Sequence, residues 1–186
     1  ASYDWYVPSI EPGDFQEIML NEYKIDNRDL IVAYEKSLEG QIPGIQMNNV
    51  VSVTASSALS EHNMTHSAER LIDGDPATSW VEGVSGQGTG ESVTFTFDGI
   101  YKVTGLKIRG GYQKDEKRYS ENSRPTDIRL EFSDGSTQSV TLQDLMQEQT
   151  VSFSAPVNTS YVTIVIESVY EGSKYEDTAI SEVTFY

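Results

Sequence analysis

From Val51 to the end of the chain, apolar side chains fall at every second position in short runs. Val51, Val53 and Ala55 alternate with polar neighbours, as do Val93, Phe95 and Phe97. The pattern recurs at Leu106 and Ile108, at Ile128, Leu130 and Phe132, and at Val140 and Leu142. It closes with Val151 and Phe153, with Val162, Ile164 and Ile166, and with Val183 and Phe185. A period of two is that of a strand burying one face. Asp98-Gly99, Gly110-Gly111, Asp134-Gly135 and Pro156 supply turn chemistry between the runs. About eight short strands parted by turns imply an all-β fold, a jelly-roll β-sandwich. The one helical candidate among them is a single turn at Leu142-Gln-Asp-Leu-Met146.

The alternation occupies residues 49–186. Residues 1–48 differ: they hold nine acids and three bases, with turn signals at Pro8, Pro12-Gly13 and Pro43-Gly44. Phe15, Ile18, Met19 and Tyr23 fall at helical spacing, as do Leu30, Ile31, Tyr34 and Leu38. Asp14 and Asp29 suit the first turns of two short helices. This region reads as a short, partly helical N-terminal extension or the end of a preceding domain. The start at Ala1 reads as a trimmed or mature terminus whose signal or anchor is missing.

Charge narrows the partners. With 29 acids against 13 bases the net charge is −16. Such a surface repels phosphate backbones and anionic headgroups, so nucleic acid is not an expected partner. No apolar run approaches the ~20 residues that span a bilayer, so membrane insertion is not expected either. Cysteine is absent, which removes disulfides and thiol chemistry. The sequons at Asn63 and Asn158 would mean nothing if the protein were bacterial, and no role is assigned to them.

Several catalytic signals fail on inspection. Gly86-x-Gly88-x-Gly90 resembles a phosphate-cradling loop, but Glu91-Ser-Val-Thr-Phe follows it as a strand, where a helix N-terminus is required. His62 and His66 stand four apart, but Asn63 takes the place of a metalloprotease's Glu, and the two read as a chance surface pair. No Ser-His-Asp or Cys-His set assembles with any specificity. Carboxylate pairs arise by chance in so acidic a chain and define no glycosidase dyad. No enzyme activity is expected.

Three long loops interrupt the strands, at about 56–90, 110–125 and 170–178, and long loops in a compact domain are usually functional. The first contains Ala68-Glu-Arg-Leu-Ile-Asp-Gly-Asp-Pro-Ala-Thr-Ser-Trp80, and the last residues read Ile180-Ser-Glu-Val-Thr-Phe-Tyr186. These two motifs resemble the discoidin-like, coagulation-factor C-type, galactose-binding superfamily. Further motifs narrow the resemblance: Trp80-Val-Glu-Gly83, Gly111-Tyr-Gln-Lys114, Tyr119-x-x-Asn-x-Arg124 and Val169-Tyr-x-Gly-x-Lys-Tyr-x-Asp-Thr-x-Ile-Ser-Glu182. Together they are similar to the bacterial glycan-binding module that serves streptococcal NAD-glycohydrolase toxins as a translocation domain. The likeness covers about residues 50–186. Many members have Cys where Ala179 stands, a small core change. The NAD-cleaving domain has no counterpart here.

The resemblance implies a secreted or cell-surface bacterial module that binds glycans or glycoconjugates, attached to other domains, with a structural calcium. The implied ligands are Arg70 through its carbonyl, Asp73, Asp75, Thr78 and Glu182, with the Ser181 carbonyl possible. Calcium takes about six to eight oxygens, which this mixture can supply. A metal-free Asp-Gly turn followed by a Pro-started helical turn accounts for the same residues.

Sugar sites combine aromatic platforms with polar donors and carboxylate acceptors. The second loop offers Tyr112, Lys114, Tyr119, Asn122 and Arg124; the third offers Tyr170, Lys174, Tyr175 and Asp177; the first adds Glu82 and Glu91. Each has a structural alternative. Trp80 reads as a core plug beneath the loops. Tyr119 and Tyr175 can pack loops, and Arg124 can pair with Glu82 or Glu91. Two other functions fit the same fold: a protein-interaction or adhesion module, and a structural accessory domain of a larger enzyme.

Overall fold

The computed structural model describes residues 42–186. The helical segments expected between Phe15 and Leu38 lie outside the described residues. After a 3-10 turn at Met47–Asn49 come β1 (Val50–Ala55), β2 (Ser60–Glu61), β3 (Met64–Thr65), a second 3-10 turn (Ala68–Leu71), β4 (Trp80–Val81) and β5 (Ser92–Gly110). Then follow helix α1 (Glu116–Glu121), β6 (Arg124–Pro125), β7 (Asp127–Phe132), β8 (Thr137–Thr141), β9 (Gln149–Ile166), β10 (Val169–Tyr170) and β11 (Ala179–Phe185).

Two long strands, β5 and β9, each take part in both layers of the sandwich. The first half of β5 pairs with β1 and with the second half of β9, which β7 and β8 extend. The second half of β5 pairs with β11 and with the first half of β9, and β4 joins at β11. Register shifts between Thr96 and Tyr101, and between Val103 and Gly105, mark where the pair bends. Asp98-Gly99 and Pro156, read above as turns between strands, are therefore irregularities inside long ones.

The alternating residues meet between the layers. Phe185 of β11 packs edge-on against Phe95 and Phe97 of β5, at 5.0 and 5.7 Å between ring centroids. Phe132 meets Phe153 at 5.4 Å. Phe95, Leu106, Ile108, Ile128 and Leu130 have no exposed surface, and burying each contributes roughly 1.5–3 kcal/mol relative to exposure. Val51 breaks the pattern and is 61% exposed, because a bulge between Val50 and Ser52 turns it outward. The chain joins the sandwich slightly before residue 49: Ile45 is buried, and its N–H donates to Lys102 O.

Helix and coil are exchanged relative to expectation in two places. Leu142–Met146 forms no helix. A helix forms instead inside the second loop, where Asp115 caps α1 by accepting from Arg118 N at 2.8 Å.

Candidate functional site

The three loops converge on the start of β11. Glu82 N donates to Thr178 O, Gly111 N to Ala179 O, and Ala179 N to Ser123 O. Ser181, fully buried, fastens the second loop further: its hydroxyl accepts from Gln113 N and donates to Gly111 O, both at 2.9 Å. One short segment thus assembles one end of the sandwich from residues far apart in sequence.

The 70s turn closes on itself. Asp73 accepts from Asp75 N at 2.8 Å and from Thr78 Oγ1 at 2.7 Å, while Gly74 takes the left-handed φ of 77°. The Asp75 carboxylate accepts from Ala77 N at 2.9 Å, and its carbonyl accepts from the Thr78 N–H and hydroxyl. Glu182 reaches this turn from β11. Burial, and then the facing Asp73 carboxylate, push the Glu182 carboxyl up to about 7, although the Gly74 N–H opposes the shift. Glu182 Oε1 is buried without a hydrogen-bond partner.

An orphaned carboxylate oxygen beside a second carboxylate fits a cation, and the donors are the hard oxygens that calcium takes. Among the described residues no three His, Cys, Asp or Glu side chains converge as a metal-ligand group. A cation here would therefore draw on the Thr78 hydroxyl and on carbonyls, such as those of Arg70 and Ser181, besides Asp73 and Glu182. The Asp75 carboxylate, like that of Asp73, also accepts from the turn itself.

Five of the expected recognition residues are engaged in holding loops together. Glu82 has no exposed surface; its carboxylate accepts from Val84 N at 2.9 Å and Thr178 N at 3.1 Å, and burial raises its pKa. Glu91 accepts from the Ser56 and Ser57 hydroxyls. Arg124, 9% exposed, grips Asp144 and lies over the Tyr119 ring, whose hydroxyl donates to the same carboxylate at 2.9 Å. The partner of Arg124 is therefore Asp144, in the segment expected to be helical, rather than Glu82 or Glu91. Tyr170 donates to Leu142 O at 3.1 Å. Trp80 is fully buried, and its Nε1–H donates to Ser57 O at 2.9 Å.

Four of the others meet around a cavity of about 340 Å³: Tyr112, Asn122, Lys174 and Tyr175. Asp177 lines it too, its carboxyl raised by burial and then by the nearby charges of Glu61 and Glu176. Lys114 lies in the same loop, exposed, but does not line the cavity. Lys174 Nζ sits 4.7 Å from the centroid of the Tyr175 ring. The 170s loop is laced to α1, with Ser173 N donating to Ser120 O, and Lys174 N and Tyr175 N to Glu121 O.

Helix α1 adds Lys117, Arg118 and Glu121, and the β2–β3 hairpin adds Glu61 and His62. None of these was expected from the sequence. Asp115 as an N-cap followed by Glu116 was the signal available for α1. His62 and Asn63 form the hairpin turn with φ of 48° and 64°, a conformation that Asn tolerates well. His66 is not at the surface. It is 2% exposed, 3.5 Å from Glu61, and edge-on to Tyr112 at 5.7 Å.

A two-layer β-fold with three loops gathered at one end defines a discoidin-like, galactose-binding-type domain. Residues 45–186 match the model of the NAD glycohydrolase translocation F5/8 type C domain. The chain belongs to that family. Among solved structures it is similar to the CBM32 of AlyQ in complex with 4,5-unsaturated mannuronic acid, with a TM-score of 0.53 at 22% identity over 74% of this chain and 95% of that one. It is also similar to the family 32 CBM of NanJ from Clostridium perfringens in complex with galactose, with a TM-score of 0.53 at 20% identity over 72% and 91%. CBM32-1 and CBM32-2 of ZmpB from the same organism, in complex with GalNAc, give a TM-score of 0.58 at 16% identity over 76% of this chain and 34% of that one. No curated protein matches the chain.

Proposed function

We propose that this chain is a non-catalytic glycan-binding module of a secreted or cell-surface bacterial protein, stabilised by a structural calcium. The observation that carries the reading is the cavity at the loop end. There two tyrosines, an amide and charged side chains of both signs surround a space of about 340 Å³. That volume is at the lower end of ligand pockets, which run ~300–1,000 Å³, and suits one or two sugar rings. Tyrosine faces take the C–H surface of a sugar, and the carboxylates and cations take its hydroxyls. The similar solved domains from AlyQ, NanJ and ZmpB were each captured with a sugar, which supports the reading.

Calcium would be held by Asp73, Asp75, Thr78 and Glu182, with the backbone carbonyls of Arg70 and Ser181 completing the oxygen shell. Its contribution is mechanical: it ties the 70s turn to the last strand and lowers the entropy of the loop end. Affinity for a single sugar is weak at so polar a site, and multivalent display of the parent protein makes up the difference. The test is a glycan array probed with the folded chain in calcium. Saturable binding that Tyr112→Ala removes supports the reading, and a blank array from a well-folded sample overturns it.

A further inference from the structure

Cations are scarce in this chain, and half of the ten lysines and arginines described have a carboxylate partner. Lys107 and Arg109 flank Glu148, Arg118 pairs with Asp115, Arg124 with Asp144, and Arg129 with Glu131 and Glu167. Among the described residues, Arg70, Lys102, Lys114, Lys117 and Lys174 have no carboxylate within 4.0 Å, and of these Lys117 and Lys174 line the cavity. Arg118 stands beside them, 45% exposed and tied to Asp115 through Nη1 alone. Three positive side chains thus gather at one opening of a protein whose net charge is −16.

Their arrangement has a polarity. Lys117 and Arg118 rise from α1, and Lys174 from the loop laced to that helix. Glu121, one turn on from Lys117, offsets part of this charge. Glu61 and His62 come from the hairpin, and Glu61 lies 3.5 Å from both His62 and His66. Asp177 feels the Glu61 charge and so belongs to that acidic edge. The cavity therefore offers acceptors for sugar hydroxyls at the hairpin and unpaired cations at the helix, with Tyr112 and Tyr175 in the lining. A neutral sugar would give the exposed Lys117 and Lys174 no carboxylate to meet.

We propose that the cavity selects glycans whose terminal residue carries a carboxylate, the carboxylate meeting Lys117 and Lys174 and the hydroxyls meeting Glu61 and Asp177. This inference rests on the glycan-binding reading above and names the ligand class of that same site. Hexuronic and sialic acids share the required group, so the experiment includes both.

The full chain, in calcium, is titrated with glycans ending in hexuronic acid, with sialylated glycans, and with the carboxyl-reduced neutral partner of each. The acidic member of a pair is expected to bind roughly tenfold tighter, and whichever acid shows that preference identifies the source. The preference should shrink in about 1 M salt, where the Debye length falls to ~3 Å and exposed ion pairs are weakened. Lys117→Gln with Lys174→Gln should erase it while leaving the melting temperature unchanged, since both side chains are exposed. Neutral partners bound as tightly as the acids, with binding still lost in Tyr112→Ala, overturn the acidic preference and leave the glycan site standing. No binding of either kind overturns both. The salt titration needs no variant, so the proposal stays open to refutation even if the double substitution fails to fold.

Discussion

Arg124 holds Asp144 through two parallel hydrogen bonds, Nε to Oδ1 at 2.8 Å and Nη2 to Oδ2 at 2.7 Å. The pair ties the end of the second loop to the segment after β8, and Tyr119 closes it from above. The Arg124 Nη1 also donates to Asn122 O at 3.0 Å, so a single guanidinium sets the path of the chain leaving α1. Such bidentate geometry fixes orientation as well as supplying energy.

Breaking this lock should loosen the cavity wall without touching the ligand. Arg124→Ala leaves a carboxylate unpaired and is expected to cost about 2 kcal/mol, below the figure for a fully buried pair because Asp144 is partly exposed. Thermal melting checks it, with a fall of roughly 4–8 °C expected for a domain of this size. Gly111→Ala should do comparable damage. Gly111 sits at φ 84°, and an added Cβ would lie 2.7 Å from the Arg124 and Tyr119 side chains.

Chelation is the direct test of the ion site. Calcium bound only by the folded state raises the melting temperature with concentration, by about 2.7 kcal/mol of stability at a hundredfold excess over Kd. Wild-type protein should lose that increment in chelator. Asp73→Asn and Glu182→Gln should melt at the same temperature with and without calcium. A wild type indifferent to chelator removes the ion from the account.

The pH dependence of the chelated protein carries a definite sign. Glu82, Asp177 and Glu182 all titrate above their ordinary values in the folded state, each chiefly through burial. The folded form therefore binds more protons than the unfolded chain between the usual carboxylate range and, for Glu182, about 7. Stability from these groups is full below that range and is lost as the pH rises through the folded pKa. Melting in chelator should fall as the pH is raised from about 5 to about 8, and Glu182→Gln should flatten the slope. Asp127 and Asp144, whose carboxyls are held low by hydrogen bonds, pull the other way only at pH below their ordinary range. Calcium should also flatten the slope, because the ion replaces the proton at Glu182.

Tyr112 and Tyr119 stand seven residues apart and should behave oppositely. Tyr112 lines the cavity and packs edge-on against His66, so Tyr112→Ala should reduce glycan binding at least about tenfold for about 1 kcal/mol of stability. Tyr119 donates to Asp144 and carries Arg124 over its ring. Burial and the Asp144 carboxylate raise the pKa of its phenol, in keeping with a supporting role. Tyr119→Phe should lower the melting temperature with little change in affinity at a temperature where the variant is folded. Calorimetric titration beside melting curves separates the two.

The alternation from Val93 to Phe185 determined the sandwich. A period-two run has one apolar face, and several such faces must be buried against one another wherever the loops go. Trp80 and the Asp73-Gly74 turn were legible locally, because one motif sets the tight turn and the buried plug, whereas Glu182 was placed beside the turn only by the resemblance. Tertiary structure alone decided which residues of the loops face outward. Tyr119, Arg124, Glu82 and Glu91 have the same chemistry as Tyr112, Lys174 and Asp177; what separates them is whether a partner such as Asp144 or Thr178 N–H lies within reach. Partners 20 or 96 residues away are brought there by strand pairing, and nothing in the local sequence records it. For the same reason His66 passed for a surface residue, and the hairpin and α1 contributed cavity walls that no spacing announced.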